Sequence, residues 1–168
     1  MLALHAFFQP ASVAIAGAAE RMTSSGGAVL RNLHNAGYQG RIVPVNPKGG
    51  ELLGLPVMRS LSEVTPPVDL VVVLVRPDLI LDVVRQGAQS GHRNFLILPG
   101  GFAEAGAEGK LRDAALRALA TEHELTIAGP NCAGIIDLFN PACRFAATFL
   151  RDLPKGGAAA LLSQSGAI

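Results

Sequence analysis

The chain has 168 residues, 49% hydrophobic and 16% charged, with 14 basic against 13 acidic side chains. That is one ordinary domain able to bury its own core, and the balance excludes a disordered chain. A net charge of +1 without any block of like charge, no Trp and a single Tyr, Tyr38, exclude a nucleic-acid surface built on bulk charge or base stacking. Cys132 and Cys143 have no C-x-x-C spacing, so neither a disulfide framework nor a structural zinc site is expected. No apolar run reaches the ~18–20 residues of a membrane span, and the start lacks a basic signal-peptide region. A reducing, cytoplasmic setting is expected.

In chain order, Ser12–Gly17 is a short apolar run ending in glycine, the pattern of a buried strand and a tight turn. Leu30 and Leu33 recur at helical spacing within Gly27–Ala36, and Gly37 is a helix stop. Arg41–Asn46 reads as a second strand, ended by Pro47. Asp69–Val75 is continuously apolar after its first residue, as a parallel strand covered on both faces should be. Pro77-Asp78 opens a helix with Ile80, Val83, Val84, Gly87 and Ala88 on one face. Asn94–Leu98 is the next strand. Leu111, Ala115, Ala118 and Leu119 mark a helix ending near Glu124, Leu125–Ala128 a further strand, and Ala158–Leu162 a last one. Asp137–Gly157 is the least regular stretch and is expected to be a surface excursion.

This alternation predicts a Rossmann-like α/β fold, doubly wound, with a mainly parallel sheet and helices on both faces. Ligands of such sheets lie beyond the carboxyl ends of the strands. Function is therefore sought in the turns there. The first, Gly17–Gly27, lets backbone approach a phosphate at a helix N-terminus, but it is longer than the G-x-G-x-x-G dinucleotide fingerprint. After strand two, where an NAD-binding fold wants an acid to accept from the ribose, stands Asn46-Pro47-Lys48. Lysine cannot accept a hydrogen bond and attracts a phosphate instead. NAD is disfavoured; NADP, coenzyme A or another phosphorylated nucleotide remains open. Val75 and Arg76 follow strand three, Arg76 being either a crevice residue or a surface arginine at a helix start. Pro99, Gly100 and Gly101 follow strand four. Asn131 and Cys132 follow strand five, Cys132 reading as pocket lining because no histidine is placed to activate it. Ser163, Ser165 and Gly166 form an S-x-S-G turn suited to an anion. The four histidines sit at no interpretable spacing from a carboxylate or cysteine, so no catalytic residue and no metal site is expected.

Five motifs occur in order: Phe8-Gln-Pro10-Ala-Ser12-Val-Ala-Ile-Ala-Gly17-Ala, Val45-Asn-Pro-Lys48, Gly101-Phe-Ala-Glu104-Ala-Gly106, Gly129-Pro-Asn-Cys132-Ala-Gly134 and Ser163-Gln-Ser-Gly166. Together they resemble the CoA-binding domain of the NDP-forming acyl-CoA synthetases, a family that includes ADP-forming acetyl-CoA synthetase and is related to the succinyl-CoA synthetase α subunit. The resemblance implies coenzyme A as the cofactor, with acid, CoA and a nucleoside triphosphate converted to acyl-CoA, nucleoside diphosphate and phosphate. It implies CoA phosphates at Gly17, Ala18 and Ala19, the nucleotide end at Lys48, and a channel past Pro99, Gly100 and Gly101. The thiol end would lie by Asn131 and Cys132, and a phosphoryl site by Ser163, Ser165 and Gly166. The turn Leu98-Pro99-Gly100-Gly101 departs from the family's common Ser-Ala-Gly-type run, and Arg76 stands where an apolar residue is usual.

The phosphohistidine and ATP-grasp parts that the resemblance implies as partners are not in this sequence, so catalysis by these residues alone is not expected. Residues 1–157 are expected to form the CoA-binding domain and 158–168 the first strand and turn of a following one. Two alternatives stand beside this reading: a regulatory CoA-binding module of the kind fused to lysine acetyltransferases, and an NADP-binding domain.

Overall fold

The computed structural model describes residues 4–21, 23–157 and 159–163. Its strands are β1 (Ser12–Ala16), β2 (Arg41–Val45), β3 (Glu51–Leu52), β4 (Leu55–Pro56), β5 (Leu70–Val73), β6 (Asn94–Ile97), β7 (Thr126–Ala128), β8 (Gly134–Asp137) and β9 (Phe145–Thr148). Its helices are α1 (His5–Phe8), α2 (Ser25–Ala36), α3 (Pro77–Gln89) and α4 (Gly106–Glu122).

Five strands form one parallel sheet in the order β2-β1-β5-β6-β7. All four residues of β5 are fully buried, which is why its sequence runs apolar without alternation. β2 lies at an edge and so tolerates Pro44, whose missing N–H breaks no ladder bond. On one face Ala14, Val43, Val71, Val73, Phe95 and Ile97 meet Ile80 and Val84 of α3 and Leu116 and Leu119 of α4. On the other, Val13, Ile15, Leu70, Val72 and Leu96 meet Val29, Leu30 and Leu33 of α2. The doubly wound α/β architecture is therefore present.

Several local expectations fail for physical reasons. The stretch Asp137–Gly157 is not a surface excursion: β8 and β9 pair antiparallel, and Phe145, Ala146 and Ala147 are buried. Phe145 meets Tyr38 edge-to-face with ring centroids 5.7 Å apart. Buried Asn32 of α2 donates to the carbonyls of Thr148 and Leu150 at 2.7 and 2.8 Å. The hairpin thus covers part of the sheet face that α2 leaves open. On α4, Leu111 is 72% exposed and Ala115 and Ala118 are exposed, while Gly109, Leu116 and Leu119 are buried. The helix is rotated because Gly109 docks on the Phe102 carbonyl, where a Cβ would overlap.

β2 and β5 are joined by the β3–β4 hairpin and a 3-10 turn at Leu61–Glu63 in place of a crossover helix. Residues 159–162 form no strand, and Leu161 and Leu162 are exposed; a strand needs a partner, and none lies beside them among the described residues. No helix among the described residues is long and apolar enough to cross a membrane.

Candidate functional site

The chain leaves β1 to form β2 on one side and returns to form β5 on the other, so the winding reverses between β1 and β5. A crevice opens beyond the strand ends at such a reversal. Gly17 stands at it. Its φ of 97° is one that a side chain resists. A Cβ there would lie 2.9 Å from the Leu74 carbonyl, and its N–H donates to the Val45 carbonyl at 3.0 Å. The turn is thus wedged between the ends of β2 and β5. Ser24 caps α2: its Oγ accepts from the Gly27 N–H at 3.2 Å and donates to the Arg21 carbonyl at 2.6 Å. Gly26 lies so close to the Gly17 carbonyl that a Cβ would overlap it. The first turn of α2 therefore rests on the turn after β1, and the two present backbone rather than side chains. That arrangement suits an anion.

Asn46 joins the second strand end to the first. Its Nδ2 donates to the Ala18 carbonyl at 2.8 Å, and its Oδ1 accepts from the Lys48 N–H at 3.0 Å. The Asn46-Pro47-Lys48 turn is in this way pinned beside Gly17–Ala19, with Pro47 and Lys48 exposed. Val75 packs against the core. Arg76 pairs with Asp78 of its own helix at 3.2 Å, both side chains largely exposed, which is the surface-arginine alternative. Such a pair adds little stability.

The ends of β6 and β7 are knitted by backbone. The Asn131 N–H donates to the Pro99 carbonyl at 3.0 Å, and the Cys132 N–H to the Leu98 carbonyl at 3.2 Å. The Cys132 thiol points at the Ile97 carbonyl at 3.4 Å, and burial pushes its pKa up. Cys132 is thus a thiol rather than a thiolate at neutral pH, in keeping with pocket lining rather than nucleophilic attack. Ser163 is exposed at the end of the described chain, while Ser165 and Gly166 lie outside the described residues.

Among the described residues no three His, Cys, Asp or Glu side chains are grouped to hold a metal. A cavity of about 170 Å³ is lined by Leu30, His34, Gly40, Ile42, Leu53 and Leu55, beside edge strand β2 and not by the strand-end turns.

Sequence reasoning placed the start of α2 at Gly27 and so missed Ser24; the signal available was the Ser24-Ser25 pair ahead of Gly26-Gly27. It also missed Arg112, whose guanidinium donates to the Gly101 carbonyl at 2.7 Å. No local pattern marks a contact made eleven residues away.

A family profile of CoA binding domains matches residues 11–137. The chain belongs to the CoA binding domain family. Coenzyme A is accordingly its cofactor. This CoA-binding domain is 39% identical over 162 residues to a trans-feruloyl-CoA synthase from an unknown prokaryotic organism, covering 95% of the chain and 23% of the relative. It is 36% identical over 171 residues to the α subunit of an ADP-forming acetate–CoA ligase I of Pyrococcus furiosus, covering 99% of the chain and 36% of the relative. The chain thus spans about a quarter to a third of the length of these relatives. Among solved structures, the dinucleotide-forming acetyl-coenzyme A synthetase 1 of Ca. Korarchaeum cryptofilum, in complex with phosphate and ADP, superposes with a TM-score of 0.82 at 31% identity. That match covers 89% of this domain and 32% of the neighbour. A crystal structure from Pyrococcus horikoshii OT3 superposes with a TM-score of 0.88 at 33% identity, covering 98% of this chain and 37% of that one.

Proposed function

We propose that this domain holds coenzyme A across the β1/β5 crevice as the CoA-binding part of an NDP-forming acyl-CoA synthetase. The observation that carries the residue assignment is the Asn46 bridge. It sets a cationic turn, Lys48, beside a bare-backbone turn, Gly17–Ala19, at the point where the sheet reverses. Backbone uncovered by side chains beside a helix N-terminus, together with one lysine, fits the phosphates of a nucleotide, and Asn46 rather than a carboxylate stands where a ribose of NAD would need one.

In this reading Gly17, Ala18, Ala19 and the first turn of α2 receive the phosphates, and Asn46, Pro47 and Lys48 receive the nucleotide end. Val75 lines the crevice with Arg76 at its rim. The knitted ends of β6 and β7, with Pro99, Gly100, Gly101, Asn131 and Cys132, bound the thiol arm. When bound, CoA supplies the thiol that accepts the acyl group; the domain's own residues bind and orient it. The phosphoryl-transfer chemistry, with its phosphohistidine and ATP-grasp parts, belongs to partner domains. Residues 1–157 form the binding domain, and 158–168 begin a following one, a reading in keeping with exposed Leu161 and Leu162.

The test is calorimetric titration with CoA, NAD and NADP. CoA is expected to bind and to raise the thermal midpoint, with NAD doing neither. Absence of heat and of a midpoint shift with millimolar CoA, or tight NADP binding that CoA does not compete with, overturns the proposal.

A further inference from the structure

We infer that Glu104 and Arg112 are positioning residues for the thiol end of the CoA site, holding the Gly100–Gly101 turn from opposite sides. The inference rests on the placement of CoA proposed above.

The turn closes β6 with Gly101 at a φ of 98°. A single carboxylate oxygen, Oε1 of Glu104, accepts from the Gly101 N–H at 2.5 Å and from the Phe102 N–H at 3.3 Å. The guanidinium of Arg112 donates to the carbonyl of the same Gly101 at 2.7 Å. It also pairs with Glu108 one helical turn earlier, which fixes its own direction. Beneath, the ring of Pro77 at the start of α3 would lie 2.8 Å from any Cβ on Gly101. One glycine is thus held through its N–H, its carbonyl and its open face.

The clamp reaches the neighbouring wall. A Cβ on Gly100 would meet Glu104 Oε1 at 2.7 Å and Asn131 Oδ1 at 3.1 Å. The carboxylate and the Asn131 side chain therefore share one small residue, and Asn131 is already bonded to Pro99 through its N–H. If Glu104 or Arg112 lets go, Gly101 loses a bond on one side and the Gly100–Gly101 turn can shift against the Asn131 side chain beside it. Glu104 is exposed and packs into no core, so its contribution lies in these bonds. Its own N–H and that of Gly101 hold its carboxyl below the usual range, so the clamp stays charged at neutral pH. Small displacements of a binding wall are costly because a ligand must be met at fixed distances.

The experiment titrates the wild-type chain and its E104A, E104Q and R112A variants with CoA and, separately, with adenosine 3′,5′-bisphosphate, the nucleotide end alone. Expected for E104A is a loss of about tenfold in CoA affinity, with the bisphosphate changed by less than about twofold. E104Q keeps an acceptor oxygen and is expected to recover most of that loss, and R112A to fall between wild type and E104A. Equal losses for both ligands indicate general damage to the fold and overturn the inference, as does unchanged CoA affinity in E104A. If E104A does not fold, R112K, which keeps the charge and the stem but not the fork, carries the same comparison. A wild-type chain that binds neither ligand overturns the parent placement of CoA. One that binds both, with E104A weakened equally toward each, overturns only the clamp.

Discussion

At the amino ends of the parallel strands, side chains reach from strand to strand; at the carboxyl ends, glycines bring backbone directly against its neighbours, and the few side chains that bond there, Asn46, Glu104 and Arg112, hold the turns from beside them. Oδ2 of Asp69 accepts from the N–H groups of Ala11 and Ser12 at 2.8 and 2.9 Å, and the Ser12 hydroxyl both donates to it and accepts from the Asp69 N–H. Asn94 donates to the Asp69 carbonyl, Arg41 to the carbonyls of Thr65 and Pro66, and the Tyr38 hydroxyl to that of Pro10. Buried His92 accepts from the Val68 N–H at 3.2 Å and faces the Leu61 carbonyl at 3.2 Å, so its second nitrogen carries the proton. At the other end, Gly17, Gly26, Gly101 and Gly129 come against carbonyls, a proline ring or a thiol with no side chain of their own between. One end is stapled across its strands by side chains; at the other, glycine surfaces are left bare between the side chains that hold the turns. Bareness is what a ligand's approach requires, and the stapled end supplies rigidity without crowding the site.

The difference can be broken from either side. G26A should have the largest effect, because the new methyl overlaps the Gly17 carbonyl. A loss of about 3 kcal/mol is expected in chemical denaturation, together with loss of CoA binding. A stable variant that binds CoA normally would show that α2 does not need its contact with the first turn. D69A should cost about 1–2 kcal/mol of stability by orphaning three donors across β1 and β5. Calorimetry should then find CoA affinity within about twofold of wild type in the fraction that remains folded. A large affinity loss would join the two ends that the geometry separates.

K48A sharpens the opposite side. It should lower CoA affinity about tenfold while leaving the thermal midpoint of the free protein in place. Dephospho-CoA should be affected less if Lys48 meets the 3′-phosphate, and equal losses for both ligands would refute that assignment. The smallest effect concerns pH. Burial, with the cations of Arg93 and Arg41 nearby, pushes His92 below its usual value, so the folded chain keeps it neutral where the unfolded chain binds a proton. Stability from this group is full above the unfolded value of about 6.5 and falls as the pH drops from there toward the lower folded value. Urea denaturation at pH 7.5 and 5.5 should show a larger acid loss for the wild type than for H92N. Identical losses would remove His92 from the stapled end.

The strands of the parallel sheet were legible because each is an apolar run bounded by glycine, proline or a charged residue. The continuous run in Leu70–Val73 announced burial on both faces. The glycine turns were legible for the same reason, since few other residues enter such conformations. The β8–β9 hairpin was not legible. Its Phe145-Ala-Ala-Thr148 stretch carries no alternation strong enough to mark a strand, and its burial depends on Asn32 and Tyr38 more than a hundred residues earlier. The rotation of α4 was hidden likewise: Ala115, Ala118 and Leu111 read as part of an apolar face, while Gly109 decided which side could approach the Phe102 carbonyl.

For the site, the sequence by itself determined where function would be sought, and named Gly17, Lys48, Gly101 and Asn131 from the chemistry of strand-end turns. What only the tertiary structure decided is which turns are joined. Asn46 ties the lysine turn to the first glycine turn, Glu104 and Arg112 hold Gly101 of the fourth turn, and the N–H groups of Asn131 and Cys132 tie the fifth turn to the fourth. The physical reason is that apolar periodicity and backbone conformation are local quantities written into neighbouring residues. A hydrogen bond between turns depends instead on distances that exist only once the strands have been laid side by side.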